Sequence, residues 1–451
     1  MGSSRAMAGL RNSVAVRQVR WIRPGWLLRL VKRPALWVLL TLAVHLAGRC
    51  AAVCAPSKFD SFVYAVAAYK FYDPAGTGAD LVPDKPGGQA LLTGWCYRLA
   101  AGPPSRLTLV PIESAFLLGG YLAFGLMVRR VVGPRAAGPA TFLLALAINT
   151  FNTLDTSVAG LNVNENYLLL PMALAVWAHL AIDRPARRGL LTGLAIGTAL
   201  TIKPTAGGLL VVLVVVSLAT GIHRRQWKGP AIWLLGLVLG LVTAWLPLLA
   251  FLYARGWLWP HLHDLWHLSG RHMGLMPLSI PPWFKLVPLL PAGWWIVAAL
   301  AADIAREEKG AEKGDATLLP ERPEGCFAQK SRIPFFAWLW LAAEILILWA
   351  MTKPSAHFYQ QLATPAALLA AIGLSGIGAR LSGLRFSDRV VCWRWLTVVG
   401  FTLTVLAAMP LAAEVAHRCR TFDRTWEVRE FNQWLVDWSP RRWAEPSQPA
   451  R

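Results

Sequence analysis

Apolar residues in this chain come in long blocks separated by short polar turns, a pattern that fits neither an amphipathic helix nor an alternating strand. The first block covers 35–55. Others follow at 107–128, 137–150, 166–182, 189–202, 205–220, 230–253, 286–302, 334–351, 359–377 and 395–413. A helix crosses a hydrocarbon core about 30 Å thick with roughly 20 apolar residues. The blocks predict an all-α polytopic membrane protein with about eleven transmembrane helices. The pieces at 189–202 and 205–220 are short and meet at a break, Lys203-Pro204. Gly189, Gly193 and Gly197 recur every four residues, a stripe suited to close helix packing.

The turns give the blocks a direction. Arg129, Arg130 and Arg135 follow the second block, Arg184, Arg187 and Arg188 the fourth, and Arg224, Arg225 and Lys228 the sixth. The loop 149–166 holds no Lys or Arg. Cations mark the cytoplasmic side, so the N-terminus is expected inside and the C-terminus outside. Residues 1–34 become a basic cytoplasmic arm, read as preceding a retained first span rather than as a cleaved signal. Residues 35–413 form the membrane domain. Within it, 57–106 is a long first outer loop and 303–332 a charged, flexible cytoplasmic linker. Residues 414–451 are an outer tail in which Trp426, Phe431, Trp434 and Trp438 suggest a helix lying on the outer face or over a cavity mouth.

Composition narrows the class. Of 451 residues, 55% are hydrophobic and 15% charged, where soluble domains are near a quarter charged. The net charge of +21 is accounted for by one-sided Lys and Arg; no RNA-binding motif accompanies it, so no nucleic-acid partner is expected. The six cysteines show neither metal-ligand spacing nor a disulfide framework, and Cys50 and Cys54, one helical turn apart, read as small apolar fillers.

On this topology the polar residues gather at one face. Asp60, Lys85, Asp155, Glu165, Lys203, Lys353 and His357 all fall at or beyond the outer ends of the blocks. A transporter should instead place its coupling residues near the midplane, on broken helices of internal repeats. Glu344 alone looks mid-membrane, and it receives no role. One-sided convergence fits an enzyme that opens to the outer face and takes a lipid-linked substrate from the side. A transporter or flippase for a lipid-linked glycan remains the alternative, with a non-catalytic scaffold behind it.

Short motifs then point to a family. Asp60 stands just after the first block, with Tyr64 and Ala65 in a D-x-x-x-Y-A arrangement. Asp84-Lys85-Pro86-Gly87 precedes Leu91, Leu92, Trp95 and Leu99. Glu165 lies in Asn164-Glu165-Asn166-Tyr167-Leu168, a G-L-x-x-G-type run leads from Gly193 to Lys203, and His357-Phe358-Tyr359 leads to Pro365. In these positions the chain resembles the GT-C glycosyltransferases of the ArnT, protein O-mannosyltransferase and RgtA/B/C/D type. It departs from the family in Gly87, where a second proline is usual, and at His357, where an arginine is usual.

The resemblance implies inverting transfer of a hexosyl or pentosyl group from a polyprenyl-phosphate donor. The acceptor is a lipid, glycan or protein hydroxyl that the sequence leaves unnamed. It implies Asp60 as the catalytic base; the residue equally suits a helix-start acid. Lys85, Lys203, Lys353, His357 and Tyr359 are the candidates for the donor phosphate, against a reading of the lysines as snorkelling interface residues. Glu165, Asp155 and Tyr64 are candidates for the acceptor or a second acid. These motifs assign no particular cofactor, and a divalent cation stays open. His261, His263, Asp264 and His267 form a set able to hold a divalent cation, or else line an interfacial helix.

Overall fold

A computed structural model describes residues 33–55, 59–81, 85–100, 104–154, 163–271, 283–298, 332–350, 360–381, 386–421 and 424–436. Among them every regular element is helical. In chain order these are α1 (Pro34–Val53), α2 (Phe59–Phe71), α3 (Gly88–Thr93), α4 (Cys96–Leu99), α5 (Val110–Val131), α6 (Pro134–Leu154), α7 (Asn164–Ala181) and α8 (Pro185–Ile202). There follow α9 (Gly207–Arg224), α10 (Lys228–Ala254), α11 (Leu258–Arg271), α12 (Leu286–Ala298), α13 (Arg332–Ala350), α14 (Gln360–Leu381), α15 (Phe386–Thr421) and α16 (Arg424–Val436). The chain is an all-α polytopic membrane protein. Five described segments are long and apolar enough to cross a membrane: α1, α5 with its lead-in, α9, α10 and the later part of α15.

Helices divide by what surrounds them. The α10 helix exposes Leu235, Val238, Leu239, Val242 and Leu246, and α15 exposes Trp395, Val398, Phe401 and Met409. Such uniformly apolar surfaces suit contact with lipid. By contrast α7 and α14 are buried along most of their length and carry Asn166, Gln360 and Gln361. Polar side chains sit on helices that their neighbours screen from lipid, where each can find a partner.

The glycine stripe explains the closest helix pair. A Cβ on Gly193 would lie 2.2 Å from the backbone oxygen of Leu237, and one on Gly189 would lie 2.1 Å from that of Trp233. Only hydrogen fits between α8 and α10 at these points. The break at Lys203-Pro204 is a single 3-10 turn, Pro204–Ala206, between α8 and α9.

The segment between α1 and α5 folds into α2, α3 and α4 and has its own apolar core. Phe62, Val66, Phe71, Leu81, Leu109, Leu252 and Trp257 are buried together there. Phe71 stacks on Phe251 of α10 with ring centroids 4.3 Å apart. The Arg255 guanidinium lies 4.5 Å from the centre of the Trp257 ring and donates to the carbonyl of Asp73. Arg106 is fully buried and donates to the Ala55 carbonyl at 2.7 Å, which ties the end of the loop to its start.

The C-terminal tail is also ordered by packing. Helix α15 runs past the apolar block to Thr421, and α16 lays Phe431 and Trp434 on α2. Trp434 stacks on Phe62 at 5.6 Å, and Phe431 packs against Phe62, Tyr69 and Tyr97. Of the expected tail aromatics, Trp438 lies outside the described residues, as does the side chain of Trp426.

Candidate active site

The site begins with the two halves of the broken helix. Because α8 ends at Ile202 and α9 starts at Gly207, the Lys203 side chain leaves the backbone where no helix turn covers it. Its ammonium is hydrogen-bonded to the Glu165 carboxylate, in the first turn of α7. Both residues are buried. Two residues read separately from the sequence, one as a phosphate cation and one as a second acid, are thus each other's partner. Buried ions of this kind are tolerated only in such pairs.

Against Asn164 and Ile202, the residues that precede Glu165 and Lys203 in the chain, lies a small cavity of about 20 Å³ that the pair itself does not line. Tyr64, Lys85, Gln89, Asn164 and Ile202 are among the residues that line it. Tyr64 is one turn along α2 from Asp60. Lys85 comes from the loop before α3, Asn164 from the start of α7, and Ile202 from the end of α8. Three distant parts of the chain therefore supply a phenol, an ammonium and two amides to one small space. Such a set offers hydrogen-bond donors and acceptors to a hydroxyl group and one positive charge, in a space that admits about one water.

Backbone geometry holds Lys85 there. Gly87 caps α3 with φ 91°, a conformation that proline, fixed near −65°, cannot adopt. A proline at this position would be incompatible with the turn as it stands. Gly88 then approaches Thr201 so closely that a Cβ would lie 2.4 Å from its hydroxyl oxygen. His261 of α11 secures the same turn from the other side, with Nε2 3.1 Å from the carbonyl oxygen of Pro86. Burial lowers the pKa of His261 below its ordinary value, against the opposing pull of the Pro86 carbonyl, Asp264 and the Lys85 backbone.

Behind the cavity runs a polar chain that the motifs did not single out. Arg49 of α1 donates to Glu113 of α5 at 3.0 Å. The other oxygen of Glu113 accepts from Asn166 of α7 at 2.7 Å. Asn152 of α6 donates to Asn166 at 3.0 Å, and Gln360 of α14 donates to Asn152. Five helices are joined through one buried network at the turn that carries Glu165. Gln361 adds a 2.9 Å bond to Thr205, just past Lys203. A sequence signal did exist: Arg49 and Glu113 stand within or beside apolar blocks, where an unpaired charge costs roughly 2.5–3.5 kcal/mol and so demands a partner.

Other candidates are placed less fully. Asp60 is the second residue of α2, and its side chain lies outside the described residues. Asp84, Asp155, Lys353, His357 and Tyr359 lie outside them altogether, as does the side chain of His267. His263 faces outward and sits 3.6 Å from Asp264, while His261 turns inward to Pro86. Among the described residues no three His, Cys, Asp or Glu side chains cluster as metal ligands. Glu344 is fully buried, accepts from Trp340 Nε1 at 2.9 Å, and feels the charge of Lys203.

No protein-family model and no curated protein sequence matches the chain. Solved structures do. ArnT from Cupriavidus metallidurans in the apo state superposes with a TM-score of 0.51 at 16% identity, over 89% of this chain and 77% of that one. The same ArnT bound to undecaprenyl phosphate gives 0.49 at 16%, over 92% and 78%. An apo oligosaccharyltransferase from Archaeoglobus fulgidus gives 0.47 at 13%, over 92% and 62%. The chain is thus a polytopic membrane protein with a GT-C fold. ArnT is a solved protein whose bundle is similar to this one over 89% of the chain.

Proposed function

We propose that the chain is a GT-C glycosyltransferase. It moves a sugar from a polyprenyl-phosphate donor to an acceptor hydroxyl at the outer face of the membrane, most simply the periplasmic face of a bacterial inner membrane. The observation that carries this reading is the meeting of Lys85, Tyr64 and Asn164 in one small cavity, against the chain neighbours of the Glu165–Lys203 pair, in a bundle with the ArnT fold.

In this mechanism Asp60 takes the proton of the acceptor hydroxyl. The acceptor oxygen bonds to the sugar's anomeric carbon as the bond from that carbon to the phosphate oxygen breaks. The anomeric centre inverts because entry and departure are on opposite sides. Charge grows on the departing phosphate, and Lys85, which lines the cavity, meets it there. Lys203 stands behind as a second cation held in place by Glu165. Lys353, His357 and Tyr359 are assigned to the donor phosphate as well, and Tyr64 with Asp155 or Glu165 to the acceptor.

The test is release of polyprenyl phosphate from labelled donors by the purified protein. Asp60→Asn should lower transfer by about 10²–10⁴-fold, the usual contribution of a general base, while yield and thermal stability stay at wild-type values. Transfer by the variant at the wild-type rate removes Asp60 as the base. A wild-type protein that releases no polyprenyl phosphate across a panel of sugar donors overturns the enzyme reading.

A further inference from the structure

Asn164 opens α7, yet its amide is not spent on the helix end. The N-cap is Val163, and no side chain caps the turn. Asparagine at a helix start ordinarily accepts from a free backbone N–H. Here neither Oδ1 nor Nδ2 has a hydrogen-bond partner among the described residues. The residue is 1% exposed, so bulk water does not serve it either. Asn166, two positions on and fully buried, shows the contrast. Its Oδ1 accepts from Asn152 at 3.0 Å and its Nδ2 donates to Glu113 at 2.7 Å. One amide is used to hold helices together. The other lines the small cavity with Lys85 and Tyr64. A buried amide without partners lowers stability, and a ligand that supplies them removes that cost.

We propose, resting on the glycosyltransferase reading, that Asn164 reads a hydroxyl of the donor's sugar. The amide offers one donor and one acceptor. A hydroxyl can accept from Nδ2 and donate to Oδ1, so it serves both. An ionised phosphate oxygen only accepts and would leave Oδ1 without a donor. The space of about 20 Å³ takes one water-sized group, hence a hydroxyl and not a whole ring. Lys85 lines the same space and is the residue assigned to the donor phosphate. The sugar hydroxyl nearest that phosphate is the one on the carbon next to the anomeric carbon. The donor class that fits is therefore a sugar with a free hydroxyl at that carbon. An acetamido group there is larger than the space and is excluded.

The experiment measures donor affinity. Full-length protein in detergent is titrated with farnesyl phosphates carrying common hexoses and pentoses, each beside its deoxy and acetamido counterparts at that carbon. The wild type should bind the hydroxyl form of its best sugar about ten- to a hundredfold more tightly than the deoxy form. The acetamido form should bind no better than farnesyl phosphate alone. Asn164→Ala should bind hydroxyl and deoxy forms alike. Asn164→Leu, close to asparagine in shape, should do the same with a thermal unfolding midpoint at or above the wild-type value, since it leaves no unpaired polar group in the interior. Midpoints lowered in both variants would make Asn164 a structural residue and overturn the assignment. A preference for the hydroxyl form that persists in Asn164→Ala overturns it too. So does equal affinity of the wild type for hydroxyl and deoxy forms, which leaves the glycosyltransferase reading intact; a fall in transfer alone for Asn164→Ala would then give the amide to the acceptor's hydroxyl. If no sugar on the panel binds more tightly than farnesyl phosphate, the glycosyltransferase reading falls and the assignment with it.

Discussion

The Lys203 ammonium and the Glu165 carboxylate meet across the break between α8 and α9, both buried in the bundle. Neither charge can reach bulk water without moving a helix end. Lys203→Met therefore leaves Glu165 buried and unpaired, and should cost about 3–5 kcal/mol of stability, as breaking a buried pair does. The double variant Lys203→Met/Glu165→Leu removes both charges and should recover most of that loss. Transfer should not recover in the double variant, because the proposed reaction needs the cation. Thermal unfolding in detergent, read beside a transfer assay, separates the two. Equal loss of stability in single and double variants would show that the pair contributes packing rather than charge balance.

The Arg49–Glu113–Asn166 chain makes a second, independent prediction. Glu113→Ala strands a buried guanidinium and removes the acceptor that holds Asn166, so a loss of about 3–5 kcal/mol is expected. Glu113→Gln retains a carbonyl oxygen for one donor but no charge, and should fall between that variant and the wild type. Arg49→Met should be destabilising too, and combining it with Glu113→Gln should cost less than the sum of the single changes. Unfolding midpoints of the four proteins make the cycle; simple additivity would mean that the two residues do not act as a unit.

The helical bundle was legible because apolar blocks and basic turns are local features, and helices in lipid must satisfy their own backbones. The stripe Gly189, Gly193 and Gly197 was legible for the same reason, since its period is that of a helix face. The polar network was not. Arg49 and Glu113 lie 64 positions apart, and Gln360 and Asn152 lie 208 apart; nothing local chooses one partner over another. The Glu165–Lys203 pair falls between these cases. Both residues were singled out by motif, yet their contact depends on α7 and α8 packing side by side. The tail shows the same limit: its aromatic pattern indicated a helix, and only tertiary packing put Phe431 against Phe62 rather than over the cavity mouth.

Gly87 gives a prediction about the motif itself. Its φ of 91° is closed to proline, so Gly87→Pro should disrupt the turn that presents Lys85. Gly87→Asn should be milder, since asparagine tolerates the left-handed region better than most residues. The expected order of transfer activity is wild type, then Asn, then Pro. Activity of Gly87→Pro at the wild-type level would mean that the loop adopts another backbone when it works.

His261 links the same turn to pH. Its imidazole is buried with Nε2 against the Pro86 carbonyl, and burial holds its pKa below that of an unfolded histidine, about 6.5. As pH falls through that value, the unfolded chain takes up a proton that the folded site resists. Folding stability contributed by this residue is therefore present above the unfolded pKa and is lost on acidification. His261→Gln keeps a donor for the carbonyl but cannot titrate. The wild type should lose more thermal stability than His261→Gln between pH 7.5 and pH 5.5, and the two curves should run parallel above pH 7.5. Other histidines are common to both proteins, so the difference between the curves isolates this one. Curves that stay parallel down to pH 5.5 would show that the imidazole is protonated as readily in the folded protein as in the unfolded chain.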